Sequence, residues 1–357
     1  MTVGRWIAGA IAALSAMASA AAAQEAYVRV VDVGAGLCVI AHTPDGYDLL
    51  YDAGFRGGYC AQAVGEIVGD DHIELVILSH SDADHIGELD EILAANSADT
   101  IIHTGSERET IAYREAMDAI GRAAAAGSTI INLANTPDAD NDGINDEIGS
   151  VYELGDARVE ILAGWHEWDL ALSDAGEVPS DSERRNAISI VVRYTYRGRS
   201  VLLTGDTIGR RIDDSALACR DAERWMTRPG APSLQSNVLI APHHGANNGG
   251  SACFLAAVDP DYVVFSAGHD HMHPRQQAAE RARAQGVAWS RMFRTDRGDD
   301  ERDASHNAPH QREWGRARMA GNVDPPGDNN IEICLGASAR VRYRASSAWC
   351  GQPGASQ

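Results

Sequence analysis

Short apolar runs that stop abruptly at polar residues organise this chain. Residues 26–40 are largely apolar and β-branched, interrupted by Asp32 and by the glycines Gly34 and Gly36. This pattern predicts a strand, a glycine turn and a second strand. Thr43-Pro44-Asp45-Gly46 is a turn signal, and residues 47–51 predict a strand that runs into Asp52-Ala53-Gly54. Residues 74–79 are almost wholly apolar, as expected of a strand buried on both faces, and lead directly to His80. Helices are predicted over 87–96 and 108–126, with a strand at 100–103 between them.

The second half repeats this grammar. Residues 151–154 and 158–162 predict a hairpin. So do 187–196 and 200–203, joined by Arg197-Gly198-Arg199 and ending at Thr204-Gly205-Asp206. A strand over 236–241 ends at Pro242-His243-His244-Gly245, and one over 261–266 ends near His269-Asp270-His271-Met272-His273-Pro274. A helix follows over 275–285. Two β-rich halves, each followed by helices, predict an α/β fold in which two sheets pack with helices outside. Residues 291–357 form an Arg- and Asp-rich C-terminal extension, patterned only at 331–334 and 339–343, a late hairpin.

Residues 1–23 fall outside this pattern. Arg5 precedes a short apolar stretch and then small residues up to Ala23, the layout of a signal peptide, and Gln24 is a plausible mature start. The expected location is therefore secreted or periplasmic, with one large domain over 24–290 and no membrane span after cleavage. Export makes the six cysteines candidates for disulfides. Sequence proximity alone favours Cys38 with Cys60, Cys219 with Cys253 and Cys334 with Cys350, among about fifteen possible connectivities. The formal net charge is −21 and lysine is absent, so every strong base is an arginine. An acidic surface repels nucleic-acid backbones, which argues against a nonspecific DNA binder and leaves nucleic acid only as a substrate. Oligomeric state is not legible.

Metal-capable residues recur immediately after the apolar strands, where rigid strand ends can hold ligands from distant parts of the chain together. His80-Ser81-Asp82-Ala83-Asp84-His85 places four such side chains in six residues. His80 and Asp82 can face one metal, and Asp84 and His85 another; imidazole and carboxylate suit Zn²⁺, Mn²⁺ or Fe²⁺. The competing reading is an acidic turn with Asp82 or Asp84 capping a helix. Adjacent histidines His243 and His244 cannot both face the same way, so one can ligate while the other hydrogen-bonds or contacts substrate.

Taken together, these segments resemble the metallo-β-lactamase superfamily, whose fold is a four-layer αβ/βα sandwich. More narrowly, they are similar to the hydrolase domain of ComEC-type competence proteins and their secreted free-standing relatives. The resemblance covers about 28–275. It rests on Val31-Asp32-Val33-Gly34, Leu50-Tyr51-Asp52-Ala53-Gly54, the Ser-His-x-Asp-x-Asp-His-x-Gly motif at 79–87, Leu203 to Asp206, Pro242 to Gly245 and His273-Pro274. It implies a metal site of His80, Asp82, Asp84, His85, Asp206 and His243, with Asp206 bridging two divalent ions, Zn²⁺ or Mn²⁺. Water deprotonated between the ions would attack phosphorus or a carbonyl. Asp84 would orient it, His273 would serve the leaving oxygen, and Asp52, Asn186 and His244 would hold ligands or touch substrate. Many superfamily members carry His at the place of Asp82 and a further His ligand where Asn186 stands, so one ion position here is poorer in nitrogen and suits Mn²⁺ over Zn²⁺.

Asp138, Asp140, Asp142 and Asp146 alternate with Gly143 and the Ile144 carbonyl at the spacing of a calcium loop, an insertion over 136–149 that predicts a structural Ca²⁺. The expected function is secreted, metal-dependent cleavage of a phosphodiester or another small-molecule substrate. The alternatives are a lactone or β-lactam hydrolase of the same fold, and a calcium-stabilised binding protein with a degenerate metal site.

Overall fold

In a computed structural model of the chain, the described residues are 25–69, 72–136, 138, 146–167, 180–215, 217–268, 271–296, 313–314, 329–343 and 350. They build two mixed sheets. The first has eight strands. In chain order they are β1 (Ala26–Val30), β2 (Cys38–His42), β3 (Asp48–Ala53), β4 (Ile73–Leu78), β5 (Ala98–His103), β6 (Thr129–Asn132), β14 (Ile331–Leu335) and β15 (Ala339–Tyr343). Across the sheet they run β15-β14-β1-β2-β3-β4-β5-β6. The second sheet has seven: β7 (Val151–Leu154), β8 (Ala157–Ala163), β9 (Val191–Tyr196), β10 (Arg199–Leu203), β11 (Val238–Ile240), β12 (Tyr262–Phe265) and β13 (Met292–Arg294). Their order is β13-β12-β11-β10-β9-β8-β7.

Each sheet changes character midway. β1, β2 and β3 pair antiparallel, whereas β3 to β6 are parallel. Likewise β7 to β10 pair antiparallel and β10 to β13 are parallel. The parallel strands need crossovers, and helices supply them: α1 (Cys60–Ile67), α3 (Leu89–Ala95) and α4 (Ile111–Ala126) on the first sheet, and α6 (Asp221–Met226), α7 (Ala252–Val258) and α8 (Gln276–Ala284) on the second. Two short helices, α2 (Ala83–Ile86) and α5 (Asp181–Ala187), flank the site.

Strand alternation places three apolar layers. Val28, Tyr51, Leu75 and Ile77 meet Ile161, Val192, Leu203 and Val264 between the sheets. Val76 and Leu78 point the other way, under Ile92, Ala116 and Ile120, which is why the β4 segment reads as apolar throughout. Leu202, Leu239 and Val263 pack against Met226, Phe254 and Ala279. The result is the four-layer αβ/βα sandwich.

Past residue 290 the chain supplies β13 to one sheet and the hairpin β14–β15 to the other, so described parts of the extension belong to the sandwich core. α1, α5, α6, α7, β6 and β13 have no counterpart among the sequence expectations; each is short, so few residues are left for a period to register. Disulfides join Cys38 to Cys60, Cys219 to Cys253 and Cys334 to Cys350, the pairing that proximity favours. Among the described residues no helix is long and apolar enough to cross a membrane. Residues 1–23, and Asp140, Asp142 and Ile144 of the calcium loop, lie outside the described residues; Asp138 and Asp146 are described and exposed.

Candidate metal centre

Metal-capable side chains converge at the carboxyl ends of the parallel strands, where β3, β4, β10 and β11 stop. Asp52, one residue before the end of β3, holds a left-handed φ of 60°. Its carboxylate accepts the Ser79 amide at 2.6 Å and the Ser79 hydroxyl at 2.7 Å, and lies 2.7 Å from His85 Nδ1. Because carboxylates accept, His85 carries its proton on Nδ1 and presents a bare Nε2. The Ser79 hydroxyl, already donating to Asp52, accepts from His80 Nδ1 at 3.0 Å. His80 therefore also presents a bare Nε2, and this buried atom has no hydrogen-bond partner.

β10 brings Asp206 in through a Gly205 whose φ is 49° and whose added Cβ would lie 2.6 Å from the Ser79 Cβ. Glycine at 205 thus lets the ends of β4 and β10 meet. β11 leads into a strained turn in which His243 and His244 both adopt left-handed φ, 50° and 54°. Strain of this kind, on the order of 1–3 kcal/mol per residue, concentrates at functional sites. The turn separates the two rings. His244 Nδ1 donates to the Ser266 carbonyl at 2.8 Å, so its Nε2 is bare. His243 Nδ1 donates to Asn248 Oδ1 at 2.7 Å, and its Nε2 accepts from the Asn186 amide at 3.1 Å.

With each imidazole neutral and its proton on Nδ1, the atoms that meet here are all acceptors. His85 Nε2 lies 3.2 Å from His244 Nε2 and 3.2 Å from Asp206 Oδ1; His244 Nε2 lies 3.3 Å from Asp206 Oδ1. Lone pairs this close are repulsive unless a cation sits among them. Asp84 Oδ2 stands 3.5 Å from His244 Nε2. Two groups of three have the reach to hold an ion: His80, His85 and Asp206, and Asp84, His85 and His244. Each imidazole is oriented through its other nitrogen, the arrangement usual for metal-binding histidines.

The local field agrees. Burial pushes the His85 imidazole down, yet Asp206, Asp52 and Asp84 raise it well above its ordinary value. Burial also pushes the Asp206 carboxyl up, and His244, His85 and His243 outweigh it and hold it well below the usual range. A potential that would keep a proton on His85 would equally hold a metal ion. His80 is lowered by burial and by His85, and His273 is lowered well below its ordinary value by burial, His243 and His244.

Asp82 and His243 stand apart from these groups. Asp82 caps α2 in extended backbone. Its Oδ1 accepts Arg108 at 2.6 Å and Arg185 at 2.7 Å, while Oδ2 faces His80 Nε2 at 4.0 Å. His243 Nε2 is 3.7 Å from Asp206 Oδ2. His244 thus stands within the acceptor cluster and His243 at its edge. The buried Asn186 Oδ1 has no hydrogen-bond partner. Neither arginine has a sequence signal marking it, since Arg108 and Arg185 come from separate segments. A cavity of about 1140 Å³ opens over the centre, with Asp84, Asp206, Asn186, His243, His244 and His273 among its lining.

With fold and centre placed, the relatives are informative. Residues 31–165 match the sequence model of the metallo-beta-lactamase superfamily. The chain is also a homologue of the competence protein ComA of Neisseria gonorrhoeae, 27% identical over 280 residues that cover 76% of this chain. The match spans 31% of the ComA length, so the chain corresponds to about a third of that protein. Among solved structures it is similar to the metallo-beta-lactamase fold protein YhfI of Bacillus subtilis, with a TM-score of 0.42 and 13% identity over 76% of this chain and 96% of that one. Zinc-bound PqqB of Methylobacterium extorquens is similar at a TM-score of 0.43 and 11% identity, covering 75% and 97%.

Proposed function

We propose that the protein is an exported phosphodiesterase. The family match over 31–165 and the similarity to ComA support a metal-dependent hydrolase of the metallo-beta-lactamase superfamily; the bond and the compartment go further. The observation that carries it is the close meeting of His85 Nε2, His244 Nε2 and Asp206 Oδ1 at the base of a large cavity.

The residues present fit divalent cations. His85, His244, Asp84 and Asp206 would hold one, and His80 and Asp206, with Asp82 and Asn186 contributing oxygen, a second. The first set suits Zn²⁺ and the oxygen-rich second suits Mn²⁺. Such ions would polarise a phosphoryl oxygen and acidify a water. The chain supplies the rest. Asp84, half-buried and facing the cavity, accepts a hydrogen bond from the attacking water and sets its direction. His273, its ring 5.8 Å from that of His243, hydrogen-bonds the leaving oxygen. Asn186 and His243 contact a non-bridging oxygen, and Asp52 and Ser79 keep His85 and His80 in the required tautomers.

The Asp-rich motif at 80–85, shared in type with competence relatives, supports phosphodiesters over lactones or β-lactams. Three disulfides support an oxidising compartment. Structural calcium at Asp138, Asp140, Asp142, Ile144 and Asp146 is proposed on their spacing.

Metal analysis of the purified protein should find bound transition metal, and bis-p-nitrophenyl phosphate should be cleaved in preference to nitrocefin or a lactone. Asp84→Ala should lower that rate on the order of a hundredfold or more. Absence of transition metal together with unchanged activity in Asp84→Ala would overturn the enzyme reading. Preference for nitrocefin or the lactone would overturn the phosphodiester reading alone.

A further inference from the structure

The cavity above the centre is charged at its base and apolar on its walls. Val33, Phe55, Ile212, Ala246 and Met272 contribute to the lining. Two of these stand out. Phe55 is 51% exposed and Ile212 is 54% exposed, although both are large and hydrophobic. Isolated exposed apolar side chains are common, but these two face one cavity and are carried on loops that are firmly held.

The Phe55 loop is pinned on both sides. Gly54 N donates to the Leu37 carbonyl at 2.9 Å, and Glu88 accepts the Gly58 and Ala61 amides at 2.7 and 2.8 Å. Arg56 pairs with Glu115 and with Asp90. The Ile212 loop is pinned in the same manner. Arg210 donates to the Asp214 carbonyl at 3.0 Å and the Arg211 amide to Asp214 Oδ2 at 2.7 Å; Arg211 pairs with Asp221 and Arg220 with Asp214. Loops held in this way lose little backbone freedom when a ligand covers them.

The lining cations point in the same direction. Arg56 is paired with two carboxylates, and Arg275 stands in the field of Glu313 across a β-bridge. A track of uncompensated arginines, which a polynucleotide backbone would require, is absent from the described lining residues.

We propose that Phe55 and Ile212 form an apolar subsite, and that the substrate is a small phosphodiester bearing an alkyl or aryl arm. This rests on the phosphodiesterase reading above. The arm lies against the two side chains while the phosphoryl group reaches the metal centre.

The test is a series of p-nitrophenyl phosphodiesters whose second ester group is methyl, butyl or octyl, assayed below micellar concentrations with the metal-loaded protein. kcat/KM should rise on the order of tenfold or more from methyl to octyl, a fraction of the full transfer ratio for the added methylenes because the wall is one-sided. In Phe55→Ser and Ile212→Ser the octyl-to-methyl ratio should fall toward one. Both positions are solvent-facing, and an unchanged melting temperature confirms folding. A flat series in the unaltered protein overturns the subsite and leaves the phosphodiesterase reading standing. A ratio unchanged in both variants overturns the assignment to these residues. If no member is cleaved, the phosphodiesterase reading fails, and calorimetry then decides the subsite: octyl phosphate should bind at least about tenfold tighter than methyl phosphate, and equal affinities overturn it.

Discussion

Two flanks of the same centre are built from similar residue types and arrive at opposite states. On one flank, His85 and His244 have their Nδ1 atoms engaged by Asp52 and Ser266, and the Asp206 backbone amide donates to the Ser189 hydroxyl, while Nε2 of each ring and Asp206 Oδ1 face one another. On the other, Asp82 is gripped by Arg108 and Arg185, and both nitrogens of His243 are engaged by Asn248 and Asn186. The ligand-type residues of the two flanks are therefore not equally free to meet a cation. What separates the flanks is where the neighbouring donors lie. The first flank has a strong unmet demand for a cation; in the second, two guanidiniums already meet part of the charge.

This contrast can be broken at its strong end first. Asp206→Asn removes the acceptor common to both flanks. Bound transition metal should fall to near zero by mass spectrometry, and hydrolysis should drop on the order of a thousandfold, as expected from losing several kcal/mol of charge stabilisation. Retained stoichiometric metal would show that Asp206 is not the shared ligand. Next is Asp52→Asn. An amide cannot accept from both Ser79 and His85 as the carboxylate does, so His85 loses its fixed tautomer. Metal affinity measured by chelator competition should weaken roughly 10–100-fold; unchanged affinity would remove Asp52 from the metal centre. The smallest effect should come from Arg185→Met, which relieves Asp82 of one guanidinium. The weaker of two Mn²⁺ binding steps should tighten on the order of tenfold in titration calorimetry, and the stronger should stay where it is. A shift confined to the stronger step would invert the contrast between the flanks.

The unequal flanks also explain what the sequence could convey. The segment from Ser79 to His85 is legible because metal-capable residues follow an apolar strand without a gap, and strand ends are rigid. Asp206 is a weak signal alone, since Gly-Asp is ordinary turn chemistry; the need for glycine arises only where Gly205 meets Ser79. The order of His243 and His244 depends on two consecutive left-handed residues, a backbone choice that side-chain identity does not announce. The engagement of Asp82 is less legible still, because Arg108 and Arg185 meet it from separate segments across the fold. At the level of the fold, the parallel strands stand out through continuous apolar runs, whereas short α5 and β6 carry too few residues for periodicity to register. Nothing in the local pattern of β14 announces that it pairs with β1.

That pairing bears on how the molecule is made. β1 lies inside its sheet, flanked by β2 and by β14, with Val28 opposite Ile333. The contact is extended by the Asp32 amide, which donates to Asn330 Oδ1 across 298 residues of sequence. During synthesis from the amino terminus, one edge of β1 must wait unpaired until β14 has emerged, 298 residues of sequence separating the Asp32–Asn330 contact beside it. An open apolar edge of this kind invites mispairing with other chains. The sheet that carries His80 and His85 can therefore close only after translation has passed β14, and the growing chain remains unfinished as a sandwich until then.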